Sequence, residues 1–321
     1  MRVLFAASPA IALPALEALC NMEGIELAGV LTNSDTPRGR SGTPQPTDVG
    51  GAAEKRGIRQ ILKPEKLDAR AREMAGALQC DLLISFAYGR IFGPKFLALF
   101  PLGGINIHPS LLPKYRGPTP VQAAILNRDE VTGLTIQRLA LEMDSGDIIM
   151  QEQVPLSGKE TAESLSEVMG VKAAFMLPEA LKKIAMGSEG TQQSQMKTTA
   201  SYCSLISKDD GIIDWNSSAE EIEAKIRAFS PWPLCKTNHN GRELIILKAD
   251  VFSGGPAEAG CAAESSGKPG QVLGQNKIYG ILILTGKGIL AVTQLQYKTK
   301  KALFWTDFLN GARDFPLSIL G

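Results

Sequence analysis

Asn106 and His108 stand two residues apart in the run Gly104-Ile105-Asn106-Ile107-His108-Pro109. In an extended strand that spacing points both side chains to one side and sends Ile105 and Ile107 to the other. A carboxamide N–H and an imidazole N–H are donors suited to an oxygen on which negative charge develops. Pro109 ends the strand, so the polar pair falls at a carboxyl edge, where open parallel sheets bind their ligands. A carboxylate able to move a proton is offered by Asp144, within Leu141-Glu142-Met143-Asp144-Ser145-Gly146-Asp147. Each segment also has a plainer reading. His108, one of two histidines in the chain, could be a hydrogen-bonded structural residue, and Asp-Ser-Gly-Asp is also an ordinary turn.

The elements that must position these residues alternate in type. Val3–Ala6 reads as a strand, Ile11–Met22 as a helix with Leu13, Leu16 and Leu19 on one face, and Leu27–Thr32 as a strand. Ala71–Leu78 reads as a helix, and Leu82–Phe86 and Gly104–Ile107 as buried strands. Thr119–Asn127 suits a helix with Thr119 at the N-cap and Pro120 at its first position. Such alternation predicts a mostly parallel sheet covered by helices. Asp35–Gly51 breaks the rhythm and reads as a long, mobile loop of the kind that often carries function.

A helical stretch from Ala162 to about Met186 gives way to the polar segment Gly187–Thr199, which we read as a linker. Ser218–Ala228 then reads as an amphipathic helix. The short apolar runs Leu244–Leu247, Gln271–Leu273, Ile281–Leu284 and Gly288–Leu295 suggest a small β-barrel. The expected organisation is an α/β, Rossmann-like domain over residues 1–187, a linker over 188–205 and an oligonucleotide-binding-like β-barrel over 206–321.

Composition narrows the function classes. With 321 residues, 44% hydrophobic and 21% charged, the chain has the material for two globular domains. A net charge of +1, from 34 basic and 33 acidic residues, excludes a uniformly basic nucleic-acid coat and leaves room for a local patch. The five cysteines Cys20, Cys80, Cys203, Cys235 and Cys261 show no metal-binding or disulfide spacing. The opening apolar run stops at Ser8-Pro9, too short for a signal sequence, and no run approaches a membrane span. A soluble, cytoplasmic protein is expected. No GxGxxG or GxxxxGK[ST] follows the first strand, so no nucleotide cofactor is indicated.

Taken together, the segments Val3–Pro9, Phe86-Ala87-Tyr88-Gly89, Asn106–Gly117 with its Ser110-Leu111-Leu112-Pro113, and Asp144–Asp147 resemble the folate-dependent formyltransferase superfamily. The likeness continues past the linker through Ile213-Asp214-Trp215 and Ile226-Arg227-Ala228-Phe229-Ser230-Pro231-Trp232-Pro233, the latter a run characteristic of members that act on tRNA and of close relatives with the same second domain. The resemblance implies formyl transfer from 10-formyltetrahydrofolate to the α-amino group of methionine on initiator tRNA, with no metal. It implies Asn106 and a protonated His108 as donors to the formyl oxygen, His108 being kept charged by Asp144. Asp144 would also relay the proton from the attacking amine to the leaving folate nitrogen. The folate is expected along Phe86, Ala87, Tyr88, Gly89 and Ile91, with backbone from Ala140–Asp144, while Ser110, Leu111, Leu112 and Pro113 shape the pocket. Phe86 and Tyr88 could equally be end-of-strand packing. Ser110 lacks the G-x-S-x-G setting of a serine nucleophile.

For tRNA, the resemblance points to the early loop, where Arg38 and Arg40 lie, although Ser41-Gly42-Thr43 replaces residues commonly glycine and lysines. Independently, Ser265–Arg313 holds Lys268, Lys277, Lys287, Lys298, Lys300, Lys301 and Arg313 against Asp307 alone, seven minus one, or +6. Adding Glu264 and Asp314 lowers this to +4. Basic charge on a small barrel suits backbone binding, and Lys298, Lys300 and Lys301 are the expected contacts. Phe229 and Trp232 are expected to pack the barrel against its helix. Two alternatives stand: the same chemistry on an amino-sugar nucleotide or glycinamide ribonucleotide, and a catalytically silent RNA-binding protein. A monomer is expected.

Overall fold

The structure, a computed structural model, describes residues 1–37, 42–188, 190–195, 199–254 and 267–321. It divides into two compact units, one of 1–121, 130–156 and 164–205, the other of 122–129, 157–163 and 206–321.

The first unit is built on a seven-stranded sheet. Its strands are β1 (Arg2–Ala7), β2 (Glu26–Leu31), β3 (Ile61–Leu62), β4 (Leu82–Phe86), β5 (Gly104–His108), β6 (Val131–Arg138) and β7 (Ile148–Pro155). Their order is β3-β2-β1-β4-β5-β6-β7. The first five run parallel, and β6 and β7 are antiparallel to their neighbours. The expected mostly parallel sheet is thus present. β1 and β4 are apolar and almost wholly buried, as strands covered on both faces must be. Helices α1 (Leu13–Asn21), α2 (Asp48–Lys55), α3 (Ala69–Gly76) and α5 (Ala162–Ala185, all but its first two residues) complete the α/β pattern, while most of α4 (Pro120–Leu126) falls in the second unit.

Two differences from the sequence reading have local causes. The 35–51 segment is not all loop: Thr36 and Pro37 pair with Gln45 and Pro44, and α2 already starts at Asp48. Thr47 caps that helix by accepting the Gly50 N–H at 3.0 Å, a turn-breaking signal hidden among prolines. Strands β6 and β7 were not among those expected. In β6 (VTGLTIQR) six successive residues are buried, so period-two alternation is lost.

The second unit holds a six-stranded antiparallel sheet. Its main strands are β8 (Cys235–His239), β9 (Arg242–Val251), β10 (Val272–Asn276), β11 (Gly280–Leu284) and β12 (Ile289–Tyr297). They follow the order β8-β9-β12-β11-β10, and Leu303–Phe304 adds a short strand to β12. Among the described residues β8 and β10 share no ladder, as in the partly open form of oligonucleotide-binding barrels. Helix α6 (Ala219–Ala228) starts in a capping box between Ser218 and Glu221, and α7 spans Trp305–Gly311. Arg227 is bound to Glu223 at 2.6 and 2.9 Å and donates to the Glu160 carbonyl at 2.9 Å. Phe229 is buried, whereas Trp232 is 52% exposed. Cys20, Cys80, Cys203 and Cys235 are free thiols, and burial pushes Cys235 up to about 12. Cys261 lies outside the described residues.

Candidate active site

Asn106 and His108 do share one side of β5, because one carboxylate reaches both. The chain between β6 and β7 folds back so that Asp144 Oδ1 accepts from Asn106 Nδ2 at 3.2 Å and from Gln137 Nε2 at 3.0 Å. Asp144 Oδ2 accepts the Gly117 backbone N–H at 2.8 Å and lies 3.5 Å from His108 Nδ1. The carboxylate, 11% exposed in its side chain, is therefore held from four directions. Its backbone has φ +52°, a left-handed conformation that costs a side-chain-bearing residue roughly 1–2 kcal/mol. Gly146, two residues on, is pressed against the chain: a Cβ there would lie 1.9 Å from the Arg138 carbonyl oxygen. Only glycine fits this turn.

His108 is 4% exposed, and its Nε2 lies 2.9 Å from the Tyr115 carbonyl. A carbonyl only accepts, so Nε2 carries a proton, and Nδ1 is the ring nitrogen that faces Asp144. Burial lowers the His108 pKa, against the opposing pull of Asp144 and the Tyr115 carbonyl. Burial thus acts on the imidazole in the opposite direction to the Asp144 carboxylate, 3.5 Å away, that the sequence reading relies on to keep it protonated.

The neighbouring residues sort by depth. Ser110 is fully buried, its hydroxyl donating to the Lys114 carbonyl at 2.6 Å and its carbonyl accepting from Thr135 Oγ1 at 2.6 Å. Leu112 is buried, its N–H on Thr135 Oγ1 at 3.2 Å and its carbonyl on Gln151 Nε2 at 2.8 Å. Leu111 is partly buried. Pro113 lines a cavity of about 410 Å³ with Arg116, Glu142, Ser145, Asp147 and Gln193. Those residues bracket Asp144 on both sides, while Asn106 and His108 are not in that wall.

Phe86 and Tyr88 have their side chains in the core, 0% and 1% exposed. Tyr88 stacks on Phe92 at 5.4 Å, the first step of a ladder through Phe96 and Phe100. Its hydroxyl is buried without a hydrogen-bond partner among the described residues. Packing is thus what these two rings do. The surface beside them is made by Ala87 and Gly89, both exposed at positive φ, and by Ile91, 67% exposed. Asn33 Nδ2 donates to the Tyr88 carbonyl at 3.0 Å and fixes that turn. Leu141 and Met143, 66% and 49% exposed, add apolar surface to the loop before Asp144.

On the second unit, Lys268, Lys277, Lys287, Lys298, Lys300, Lys301 and Arg313 are all exposed. Lys298 pairs with Glu243 at 3.2 Å, so part of its charge is already answered. Arg38 and Arg40 lie outside the described residues. Sequence reasoning missed Gln137 and Gln193. Both are buried glutamines in segments read as featureless, and a polar residue inside an apolar strand was the only signal for Gln137.

Comparison with known proteins gives the lineage. The sequence pattern of the formyl transferase family matches residues 1–181, and that of the formyl transferase C-terminal domain matches residues 205–313. A methionyl-tRNA formyltransferase of Treponema denticola is 47% identical over 98% of both chains, and one of Borrelia duttonii is 38% identical over 98% of both. An N-formyltransferase from Helicobacter canadensis, solved with folinic acid and dTDP-3-aminofucose, is 19% identical with a TM-score of 0.62 over 90% of this chain and 97% of its own. That last likeness concerns the fold alone. The chain belongs to the formyltransferase family, with full-length relatives that are methionyl-tRNA formyltransferases.

Proposed function

We propose that this protein transfers the formyl group of 10-formyltetrahydrofolate to the α-amino group of methionyl-initiator tRNA, yielding N-formylmethionyl-tRNA for translation initiation. The observation that carries the chemistry is the convergence of Asn106 and His108 on the Asp144 carboxylate, at 3.2 and 3.5 Å. The acceptor is carried by full-length relatives of that name at 47% and 38% identity.

The amine nitrogen attacks the formyl carbon, the bond from that carbon to the folate nitrogen breaks, and one proton passes from the amine to the departing nitrogen. Asn106 Nδ2 has two hydrogens, one of which it gives to Asp144; the other is oriented by that bond and polarises the formyl oxygen. Asp144 takes the amine proton and returns it to the folate nitrogen. His108, neutral at rest, turns Nδ1 to Asp144 and shares that proton while negative charge builds on the oxygen, since a nearby negative charge favours the imidazolium. The folate fits the exposed edge formed by Ala87, Gly89 and Ile91 with the backbone before Asp144, where apolar side chains stand exposed beside peptide groups. Lys298, Lys300 and Lys301 hold the tRNA backbone, and Arg38 and Arg40 are assigned to the same partner. No step calls for a metal.

Among the described residues no helix is long and apolar enough to cross a membrane. The proposed setting is the cytoplasm, where charged tRNA is found. The proposed state is a monomer, since one chain carries both the transfer residues and the basic sheet. The test is incubation with 10-formyltetrahydrofolate and, in parallel, methionyl-tRNA or an amino-sugar nucleotide. Formyl-methionine on the tRNA is expected, and formylation of the sugar alone would reassign the acceptor.

A further inference from the structure

Residues 182–204 lie between the two family patterns, which match 1–181 and 205–313. The sequence reads 188–205, most of this stretch, as a linker. Its described residues instead run along the active-site loop. Thr191 exchanges backbone hydrogen bonds with Ile148, both at 2.8 Å. Ser201 accepts the Tyr115 N–H on its hydroxyl at 3.0 Å and the Arg116 N–H on its carbonyl at 2.8 Å. The Cys203 N–H donates to the Arg116 carbonyl at 2.9 Å. Gly117, whose N–H binds Asp144, has φ +118°, and a Cβ there would lie 2.3 Å from the Cys203 carbonyl oxygen.

Within this strap Gln193 is 5% exposed and its carboxamide is fully engaged. Nε2 faces the Asp144 carbonyl at 2.9 Å, the Gly146 carbonyl at 2.8 Å and Gln137 Oε1 at 3.1 Å. Oε1 accepts from Arg116 Nη2 at 2.7 Å and Nε at 3.2 Å. The amide orientation is forced, because a flip would set an oxygen against three oxygens and N–H groups against a guanidinium. Gln193 thus ties the strained Asp144–Gly146 turn to Arg116, at the far end of the loop that begins with Asn106 and His108. Its partner Gln137 also holds Asp144 Oδ1.

We propose that Gln193 is a positioning residue for formyl transfer, acting by locking the backbone of the Asp144 turn so that the carboxylate stays on Asn106 and Gly117. This rests on the function proposed above. Without the two carbonyl contacts, the left-handed turn relaxes toward an ordinary conformation and the carboxylate leaves its partners. Misplacement by about 1 Å at a reacting group can cost on the order of a hundredfold in rate.

The experiment is steady-state formylation of methionyl-tRNA by Gln193→Ala and Gln193→Glu across a pH series, with thermal melts of each variant. Gln193→Glu keeps an acceptor for Arg116 and has no N–H for the Asp144 and Gly146 carbonyls. Both variants are expected to lose roughly 10- to 100-fold in kcat, with KM for tRNA unchanged and the pH profile of kcat displaced. Wild-type kcat and pH profile in Gln193→Ala would refute the assignment. Full activity in Gln193→Glu would also refute it, by leaving only the Arg116 contact. So would a loss that merely tracks the unfolded fraction, with the pH profile unmoved. The wild-type chain assayed alongside separates the two ideas: no formylation there sinks the functional reading, whereas an active wild type with an equally active Gln193→Ala sinks the positioning role alone.

Discussion

Asp144 and the Lys298–Lys301 turn, the proposed transfer and tRNA-binding regions, are constrained very differently. Asp144 is nearly enclosed, accepts hydrogen bonds from Asn106, Gln137 and Gly117, faces His108, and has its own backbone pinned by Gln193. The lysine turn stands in solvent, with one ion pair from Lys298 to Glu243. A bond-making step needs groups fixed to a fraction of an ångström, whereas a phosphate backbone can be met by mobile charges. The difference predicts that damage to the first region appears in turnover and damage to the second in binding.

The largest effect is expected at Asp144. Asp144→Asn keeps the shape and removes the proton acceptor, so kcat should fall by about 10²–10⁴ with KM for tRNA little changed. Asn106→Ala should cost about 10²–10³ in kcat, the loss of one polarising donor. Unaltered turnover in Asn106→Ala would remove that role from the carboxamide. The lysines should respond in the opposite sense. Replacing Lys298, Lys300 and Lys301 together by alanine should raise KM for tRNA and lower its dependence on salt by up to about three charges, leaving kcat unchanged. Lys300→Ala should weaken binding more than Lys298→Ala, because Glu243 already neutralises part of Lys298. Equal effects would show that the ion pair opens at no cost.

The sequence makes some parts of the Asp144 site legible and hides others. The spacing of Asn106 and His108 gave their common side, since a strand has period two, and the alternating elements gave the mostly parallel sheet. The turn that brings Asp144 to them depends on contacts with Gln137, Arg138 and Gln193, which are non-local and leave no periodic trace. The same applies to the environment of His108, where a nearby carboxylate suggests protonation and enclosure of the ring, invisible in the sequence, pulls the pKa the other way. Tyr88 was ambiguous for a related reason. An aromatic residue just past a strand can face either side, and the ladder through Phe92, Phe96 and Phe100 draws it inward.

Two smaller effects sharpen the contrast from the stability side. Burial holds His108 below its ordinary value of about 6.5. As pH falls through the interval from about 6.5 down to the lowered folded value, the unfolded chain takes up a proton that the folded chain refuses. Stability linked to His108 therefore declines on acidification and recovers as pH rises. The drop in Tm between about pH 7.5 and about pH 5.5 should be smaller in His108→Gln than in the wild type; an equal drop would mean that His108 is not buried neutral. Tyr88→Phe removes a buried hydroxyl that has no partner. It should leave stability unchanged or raise it by about 1 kcal/mol, with KM for folate unaltered. A raised KM would return the phenol to the folate edge.

The central claim is that bond-making is confined to the enclosed Asp144 cluster and tRNA binding to the exposed basic surface. Single-turnover formylation at saturating methionyl-tRNA tests it most directly, because binding differences vanish there. Asp144→Asn is predicted to stay slow at every tRNA concentration, while the triple lysine variant reaches the wild-type rate. A lysine variant that remains slow at saturation, or an Asp144→Asn protein rescued by added tRNA, would contradict the account.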